Sequence, residues 1–287
     1  MFNKFLDFSD INQESFKQIL FEKNLPNNLN NKNIGLLFEK PSTRTRISFL
    51  VGINQLGGNA IDIKFDDLNI SRSETFQDTF KALNCYLDGL IYRTSQHKNL
   101  EVASKFFKKP MINALSEKSH PCQAISDIYT LNEHFGKLSL NLLWMGDLSN
   151  VCFSLIEAAH FISELKITVC SHKDIISNCN WKISDNVKFI YDLKNFDFDE
   201  CDCVMTDVFI SMNDKDNQKK IENLKPYQIN GAIMDKTNDK CIFMHCLPAK
   251  VGFEVTEDVL NGPKSIVWHQ AKNKMIAQKK ILQCINW

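Results

Sequence analysis

The chain has 287 residues, of which 44% are hydrophobic and 24% charged, a balance that indicates a globular protein of one or two domains and excludes a disordered chain. Thirty-four basic residues offset thirty-four acidic ones, so the formal net charge is zero. No overall positive field is therefore present to hold nucleic acid or an anionic membrane.

No run of residues reaches the roughly 18 apolar positions that a membrane-spanning helix needs. The amino-terminal stretch MFNKFLDFSD carries acids where a signal peptide would be apolar. The ten cysteines are scattered and show no zinc-ligand spacing. We therefore expect a cytoplasmic protein without a metal, in which thiols from apolar runs, such as Cys170, Cys203 and Cys241, pack as small hydrophobic side chains.

Short apolar runs alternate with longer amphipathic stretches along the chain. The predicted strands cover residues 33–38, 60–63, 89–93, 110–114, 141–146, 167–171, 187–191, 202–207 and 241–245. The predicted helices cover residues 42–56, 74–85, 100–107, 123–135, 151–163, 216–224 and 271–284. This alternation predicts mostly parallel sheets flanked by helices. Because nine strands are many for one such sheet, we predict two α/β halves with a break near Gly136.

The first candidate site follows the first predicted strand, since ligands of open α/β sheets bind beyond the carboxyl ends of the strands. Residues 42–46 read Ser-Thr-Arg-Thr-Arg, and Ser42 is placed to cap a helix. The amides at the start of that helix, with three hydroxyls and two guanidinium groups, suit a phosphate. The chain has neither a P-loop nor a G-x-G-x-x-G motif, which argues against a nucleotide. A capped helix with solvated arginines fits the spacing equally well.

Two further strand ends carry polar side chains. Arg93 ends the third predicted strand, and His120 and Gln123 follow the fourth. Taken singly, the arginine fits a structural role and the histidine fits a side chain satisfied by a neighbour. Together with Arg44, they favour an anionic ligand that bears a carbonyl group.

The second half carries different side chains after its strands. Asn150 and Asp207 could hold the carboxylate and the ammonium of an amino acid, although they also fit a turn former and a helix cap. Cys246 follows His245 directly, and adjacent residues of an extended segment point in opposite directions. We therefore disfavour a Cys–His nucleophile and favour the backbone carbonyls of this segment as acceptors for an amine.

Four of these segments resemble motifs of the transcarbamoylases. Residues 38–46 (FEKPSTRTR) resemble the carbamoyl-phosphate loop, and residues 120–123 (HPCQ) resemble the H-P-x-Q segment. Residues 207–212 (DVFISM) resemble the D-x-x-x-S-M loop, and residues 245–248 (HCLP) the H-C-L-P motif. The last two are typical of the ornithine branch of the family.

This resemblance implies two doubly wound α/β domains, a carbamoyl-phosphate domain at residues 1–135 and an ornithine domain at residues 136–270, with a terminal helix at 271–287 packing on the first. It implies transfer of the carbamoyl group to the δ-amine of ornithine, with no metal or organic cofactor. It also implies a homotrimer in which the loop at residues 67–74, around Ser71 and Arg72, reaches a neighbouring subunit.

The resemblance assigns roles residue by residue. The side chains implied for carbamoyl phosphate are Ser42, Thr43, Arg44, Thr45, Arg93, His120, Gln123, Cys246, Leu247 and Lys274. Those implied for ornithine are Asn150, Asp207, Ser211 and Met212. Those implied for catalysis are Arg44, Arg93, His120, Asp207 and Cys246.

Four positions depart from the family pattern. Lys274 stands where the family usually has arginine, and Asn69 where it usually has Gln or His. Asn213 stands where glycine is usual. Leu50 replaces a glutamate, so we expect Arg46 to lack its partner. These departures leave open a transcarbamoylase for a related amine, such as putrescine or an acylated ornithine, and a non-catalytic paralogue that binds ligand.

Overall fold

Residues 1–71, 73–210 and 218–287 are described by a computed structural model of the chain. They divide into two units, one formed by Met1–Tyr129 with Asn273–Trp287 and the other by Thr130–Lys272. The chain passes from one unit to the other within two helices, so the first unit is built from both ends of the sequence.

The first unit is organised around a parallel sheet. Its elements, in chain order, are β1 (Lys4–Phe5), α1 (Gln13–Phe21), β2 (Asn33–Phe38), α2 (Thr43–Gln55), β3 (Asn59–Lys64), α3 (Phe76–Tyr86), β4 (Gly89–Arg93), α4 (His97–Phe106), β5 (Met111–Leu115) and α5 (Pro121–Phe135), which continues into the second unit. The described strands run in the order β1-β5-β4-β2-β3. The order of winding therefore reverses between β2 and β4, whose carboxyl ends are paired at Phe38 and Arg93.

The central strands of this sheet are buried, and its edge strand β3 is not. All five residues of β4 are buried, as are five of the six in β2, as expected of apolar parallel strands covered on both faces. β3, at the sheet edge, is exposed or half-buried throughout. The pairing of β4 with β5 shifts register after Tyr92, so that Arg93 lies opposite Leu115. Such a bulge changes the direction of the side chains that follow it.

The second unit contains a second parallel sheet. Its elements are β6 (Leu140–Met145), α6 (Asn150–Ala159), β7 (Leu165–Cys170), α7 (Lys173–Ser177), β8 (Val187–Ile190), β9 (Cys203–Thr206), α8 (Gln218–Leu224), α9 (Gly231–Met234), β10 (Ile242–His245), α10 (Glu257–Leu260) and α11 (Val267–Gln283), which continues into the first unit. Its described strands run in the order β10-β9-β6-β7-β8. The reversal here lies between β6 and β9.

The predicted fold class is confirmed, because the described residues form two parallel sheets with flanking helices. Each of the nine predicted strands lies within two residues of an observed one. The sequence prediction missed β1, α1 and the short helices α7, α9 and α10, and it started α11 four residues late, at residue 271 instead of Val267. The cysteines expected in the core, Cys170, Cys203 and Cys241, are buried. No described helix is long and apolar enough to cross a membrane.

Candidate functional site

The first cluster of site residues begins at the carboxyl end of β2. Ser42 occupies the N-cap position of α2 with extended backbone, as predicted, but its hydroxyl makes no capping hydrogen bond. Further along the helix, the Ser48 hydroxyl lies within donating distance of the carbonyls of Arg44 and Thr45, at 2.7 and 3.1 Å, and so does not cap the opening amides. The opening amides of α2 therefore point away from the helix without a side-chain acceptor from Ser42, as an anion-binding helix end requires.

The exposure of the side chains in this turn alternates. Thr43 is exposed, Ser42 and Arg44 are half-buried, and Thr45 is buried. Arg46 forms an ion pair with Asp62 on β3, with Nη2 and Oδ2 separated by 2.9 Å. The expectation that Arg46 lacks a partner because Leu50 replaces a glutamate is therefore wrong. The carboxylate comes from the neighbouring strand instead of the next turn of the helix.

Glu39, which the sequence reading did not single out, fixes the start of this loop. Its backbone N–H donates to the carbonyl of Arg93 at 3.0 Å. Its carboxylate accepts hydrogen bonds from the Tyr92 hydroxyl at 2.5 Å and from the backbone N–H and hydroxyl of Ser95, both at 2.9 Å. Partial burial alone would raise the pKa of Glu39, but these hydrogen bonds outweigh it and hold the pKa below the ordinary value of 4.5. The loop after β2 and the end of β4 are thereby tied together.

The remaining polar residues of the first unit form a buried group. Arg93, His120, Gln123 and Lys274 are all buried. The Lys274 ammonium donates to Gln123 Oε1 at 2.6 Å, and Gln123 Nε2 donates to Asp127 Oδ1 at 2.7 Å. His120 directly precedes Pro121, the first residue of α5, a position that proline favours.

The electrostatics of this group set the charge of His120. Burial lowers the pKa of His120 well below 6.5, and the positive charges of Lys274 and Arg93 lower it further. The imidazole is therefore neutral near pH 7. A neutral imidazole among cations can donate a hydrogen bond to an oxygen on which negative charge develops, and the cations favour the same charge. Arg93 and Lys274 are close enough to His120 to act on its charge, whereas the expected convergence of Arg44 with Arg93 and His120 stays a prediction.

The second cluster lies at the carboxyl ends of β6, β9 and β10. Asn150 is the first residue of α6, after Ser149, whose hydroxyl caps the helix by accepting from the amide of Cys152. The loop before it is held by Trp144, which donates to the carbonyl of Asp147 at 2.9 Å. Lys220 on α8 forms a 2.8 Å ion pair with the Asp147 carboxylate. Both interactions restrain the loop that precedes Asn150.

Asp207 and Cys246 are brought together by the pairing of β9 with β10. The Cys246 thiol donates to Asp207 Oδ1 at 3.0 Å, and the backbone N–H of Val208 donates to the same oxygen at 2.8 Å. Asp207 is buried and Cys246 half-buried. A carboxylate held in this way can accept a hydrogen bond from an ammonium or orient an amine.

His245 does not act on its neighbour Cys246. Its side chain is buried, with Nδ1 accepting from the amide of Leu247 at 2.8 Å and Nε2 lying 3.3 Å from Glu254 Oε1. The two side chains have separate partners, as expected from their adjacency. Leu247 has a φ of 54°, in the left-handed region that residues other than glycine rarely adopt.

Several predicted positions fall outside the described residues, namely Ser211, Met212, Asn213 and Arg72. In the described part of the loop at residues 67–74, Asn69 starts a short 3₁₀ turn at Asn69–Ser71, and its carbonyl accepts from the amides of Ser73 and Glu74. Among the residues that are described, no three His, Cys, Asp or Glu side chains are grouped to hold a metal ion.

Comparison with known protein families accounts for both units. Residues 4–133 match the family model described as Aspartate/ornithine carbamoyltransferase, carbamoyl-P binding domain. Residues 139–285 match the model described as Aspartate/ornithine carbamoyltransferase, Asp/Orn binding domain. The chain belongs to the aspartate/ornithine carbamoyltransferase family.

Individual members of this carbamoyltransferase family match most of the chain. A protein of Methanosphaera stadtmanae named ornithine carbamoyltransferase is 39% identical over 270 residues, which cover 88% of this chain and 87% of the relative. One of Rhizobium johnstonii with the same name is 39% identical over 258 residues, covering 88% and 84%. The crystal structure of ornithine carbamoyltransferase from Thermus thermophilus has a TM-score of 0.84 and 32% identity, covering 98% of this chain and 97% of that one.

Proposed function

We propose that the chain transfers the carbamoyl group of carbamoyl phosphate to the δ-amine of L-ornithine, giving L-citrulline and phosphate. Its sequence relatives bear the name of this activity and cover both of its halves. The first half, with the terminal helix, is assigned to carbamoyl phosphate, and the second half to ornithine.

The residues assigned to the phosphate are those at the start of α2. Ser42, Thr43 and Thr45 supply hydroxyls, the helix supplies amides, and Arg44 supplies a guanidinium that can bind two phosphate oxygens at once. Arg93 adds a second cation at the end of the paired strand β4. What supports this assignment is the position of all these groups at the reversal of the strand order, where α/β sheets bind ligands.

The carbamoyl carbonyl is assigned to His120, Gln123 and Lys274. His120 is neutral near pH 7 and can donate to the carbonyl oxygen, while Arg93 and Lys274 favour the negative charge that this oxygen acquires. One well-placed donor of this kind contributes about 3–4 kcal/mol to catalysis. The lysine keeps the charge of the family's usual arginine but not its planar pair of donors.

The amino acid is assigned to Asn150, Asp207, Ser211 and Met212, with Cys246 and Leu247 beside the reacting nitrogen. A free amine of this type has a pKa near ~10.4, so the neutral form that attacks is the minor one in solution. The nitrogen forms a bond with the carbamoyl carbon, and the bond from that carbon to the phosphate oxygen breaks. The proton lost by the amine passes to the departing phosphate.

One observation carries most weight for the ornithine branch. Asp207 and Cys246 come from two motifs separated by 39 residues, and a 3.0 Å hydrogen bond joins them. Both motifs are typical of that branch. The arrangement provides an acidic group next to carbonyls and a thiol, which suits the amine of an amino acid.

The test is a colorimetric ureido assay with carbamoyl phosphate and three amines: L-ornithine, N-acetyl-L-ornithine and putrescine. We expect kcat/KM for L-ornithine to be at least about tenfold above the values for the other two amines. Only L-ornithine has both a free α-ammonium and a free carboxylate for the residues assigned to the amino acid. Preference for another amine would replace ornithine as the substrate. No product from any of them, with binding of carbamoyl phosphate retained, would indicate a non-catalytic paralogue.

We further propose that the chain works as a cytoplasmic homotrimer, either in arginine biosynthesis or in the reverse, catabolic route. Three exposed apolar side chains on neighbouring elements, Ile47 and Val51 on α2 and Ile61 on β3, support self-association. Sedimentation equilibrium at micromolar concentration measures the mass, and we expect about three times 33.1 kDa. A monomer at the concentrations of the activity assay would contradict shared sites.

A further inference from the structure

A buried chain of hydrogen bonds runs from Asp127 through Gln123 to Lys274. Asp127 Oδ1 accepts from Gln123 Nε2 at 2.7 Å, and Gln123 Oε1 accepts from the Lys274 ammonium at 2.6 Å. All three side chains are buried, and Asp127 is fully inaccessible to solvent. Residue 274 is also one of the positions at which this chain departs from its family.

The chemistry of the two ends fixes the orientation of the Gln123 amide. A carboxylate can only accept hydrogen bonds and an ammonium can only donate them. Reversing the amide would place its oxygen against Asp127 and its NH₂ group against Lys274, which replaces two charge-assisted hydrogen bonds by two repulsive contacts. Gln123 therefore has one stable orientation, and this orientation is imposed by Asp127 from one side.

The same series of hydrogen bonds restrains the Lys274 side chain. A lysine side chain has four rotatable bonds and a compact charge, so it does not hold its own direction as a planar guanidinium does. A short bond to an amide oxygen that cannot turn away supplies the missing restraint. The negative charge of Asp127 also offsets part of the positive charge that Lys274 and Arg93 bring into a buried region.

We infer that Asp127 is a positioning residue for the carbamoyl-phosphate site, which fixes the Gln123 amide and, through it, the Lys274 ammonium. It acts through these two side chains and need not touch the substrate. This role rests on the proposed function only in that the buried group is taken to bind carbamoyl phosphate. This role accounts for the lysine at position 274, because the fixed Gln123 amide supplies the restraint that a lysine side chain lacks.

The decisive experiment measures binding without requiring turnover. Phosphonoacetamide, a stable analogue in which a methylene replaces the bridging oxygen of carbamoyl phosphate, is titrated calorimetrically into the wild type, Asp127→Asn, Lys274→Met and the double variant. The isosteric Asp127→Asn removes the charge that orients Gln123, and we expect the dissociation constant to rise about tenfold, the size expected for one lost charge-assisted hydrogen bond. Glu133→Gln, the same chemical change at an exposed site of α5, is the matched control and should bind as the wild type does.

The double variant separates a positioning role from a general effect on the fold. If Asp127 acts through Lys274, the double variant should bind phosphonoacetamide about as weakly as whichever single variant binds it less tightly. The reason is that both substitutions remove the same interaction with the ligand. In the citrulline assay, Asp127→Asn should raise the KM for carbamoyl phosphate and leave the KM for ornithine within about twofold. An unchanged dissociation constant for Asp127→Asn, or fully additive losses in the double variant, would overturn the role.

The experiment also distinguishes failure of the proposed reaction from failure of the Asp127→Asn variant to fold. If the wild type binds the analogue but makes no citrulline, the proposed reaction fails while the binding comparison still decides the role of Asp127. If Asp127→Asn does not fold, Gln123→Met deletes both hydrogen bonds at conserved volume. Its binding must then fall as in Lys274→Met, and wild-type affinity in Gln123→Met would overturn the inference.

Discussion

Replacing Glu39 by glutamine tests whether a charged side chain holds the loop between β2 and α2, to which we assign the phosphate. The carboxylate accepts three hydrogen bonds, one from Tyr92 and two from Ser95, within 2.9 Å. Hydrogen bonds to a charged acceptor contribute about 1.5–3 kcal/mol each and those to a neutral one about 0.5–1.5. Since glutamine keeps the shape and loses the charge, we expect Glu39→Gln to lower the free energy of unfolding by about 2–3 kcal/mol at pH 7.5.

The pH dependence of this loss follows from the pKa of Glu39, which lies below its ordinary value of 4.5 in the folded chain. A carboxyl group with a lowered pKa contributes stability above its unfolded-state pKa, and that stability is lost as the pH falls through the folded-state pKa. The difference between wild type and Glu39→Gln should therefore be full at pH 7.5 and shrink below pH 4.5.

Urea unfolding at the two pH values, followed by far-ultraviolet circular dichroism, measures the difference, and the melting temperature at pH 7.5 should fall by roughly 5–10 °C. Asp62→Asn is the matched control, because it removes a carboxylate from the partly exposed ion pair with Arg46 and should cost less than about 1 kcal/mol. A loss for Glu39→Gln that is equal at pH 7.5 and pH 3.5 would refute the charge-based explanation.

Three further changes address the site. Arg44→Ala should lower kcat/KM by at least about 10²-fold with an unchanged melting temperature, and near-normal activity would remove Arg44 from the phosphate site. Asp207→Ala should raise the KM for ornithine about tenfold and spare the KM for carbamoyl phosphate; an unchanged ornithine KM and kcat would refute its role. Lys274→Met should move the NMR titration of His120 to higher pH, since a positive charge that lowers this pKa is removed, and an unmoved titration would show that the charges are not coupled.

The alternation of apolar and amphipathic segments was sufficient to predict the two parallel sheets. Strands such as β2 and β4 are continuous apolar runs because both faces are covered, which makes them readable from sequence alone. β1 was missed because it is only two residues long and exists through its pairing with β5, more than a hundred residues away. No local pattern encodes such a pairing.

The places of the candidate residues in the fold were predicted better than the partners of their side chains. Placing Arg44, Arg93, His120 and Asp207 at strand ends needed only the rule for parallel sheets. The partner of Arg46 was predicted wrongly because helical spacing relates only residues of the same helix, whereas Asp62 comes from the adjacent strand.

The contacts within the buried group of Gln123, Asp127 and Lys274 differ in whether the sequence alone could predict them. The contact between Gln123 and Asp127 is an i, i+4 pair on one helix and was available from the sequence, although it was not used. The contact between Gln123 and Lys274 joins residues 151 positions apart and required the fold. Glu39 was overlooked because its role depends on the register between β2 and β4.

The first unit is completed by the last fifteen residues of the chain, Asn273–Trp287. Asn28 donates to the carbonyls of Gln283 and Ile285, and a side chain added at Gly89 would collide with the Trp287 ring. During synthesis, the amino-terminal part of this unit therefore cannot close its core until residues 273–287 have left the ribosome. A premature stop codon before residue 273 would thus leave incomplete the unit whose synthesis began first.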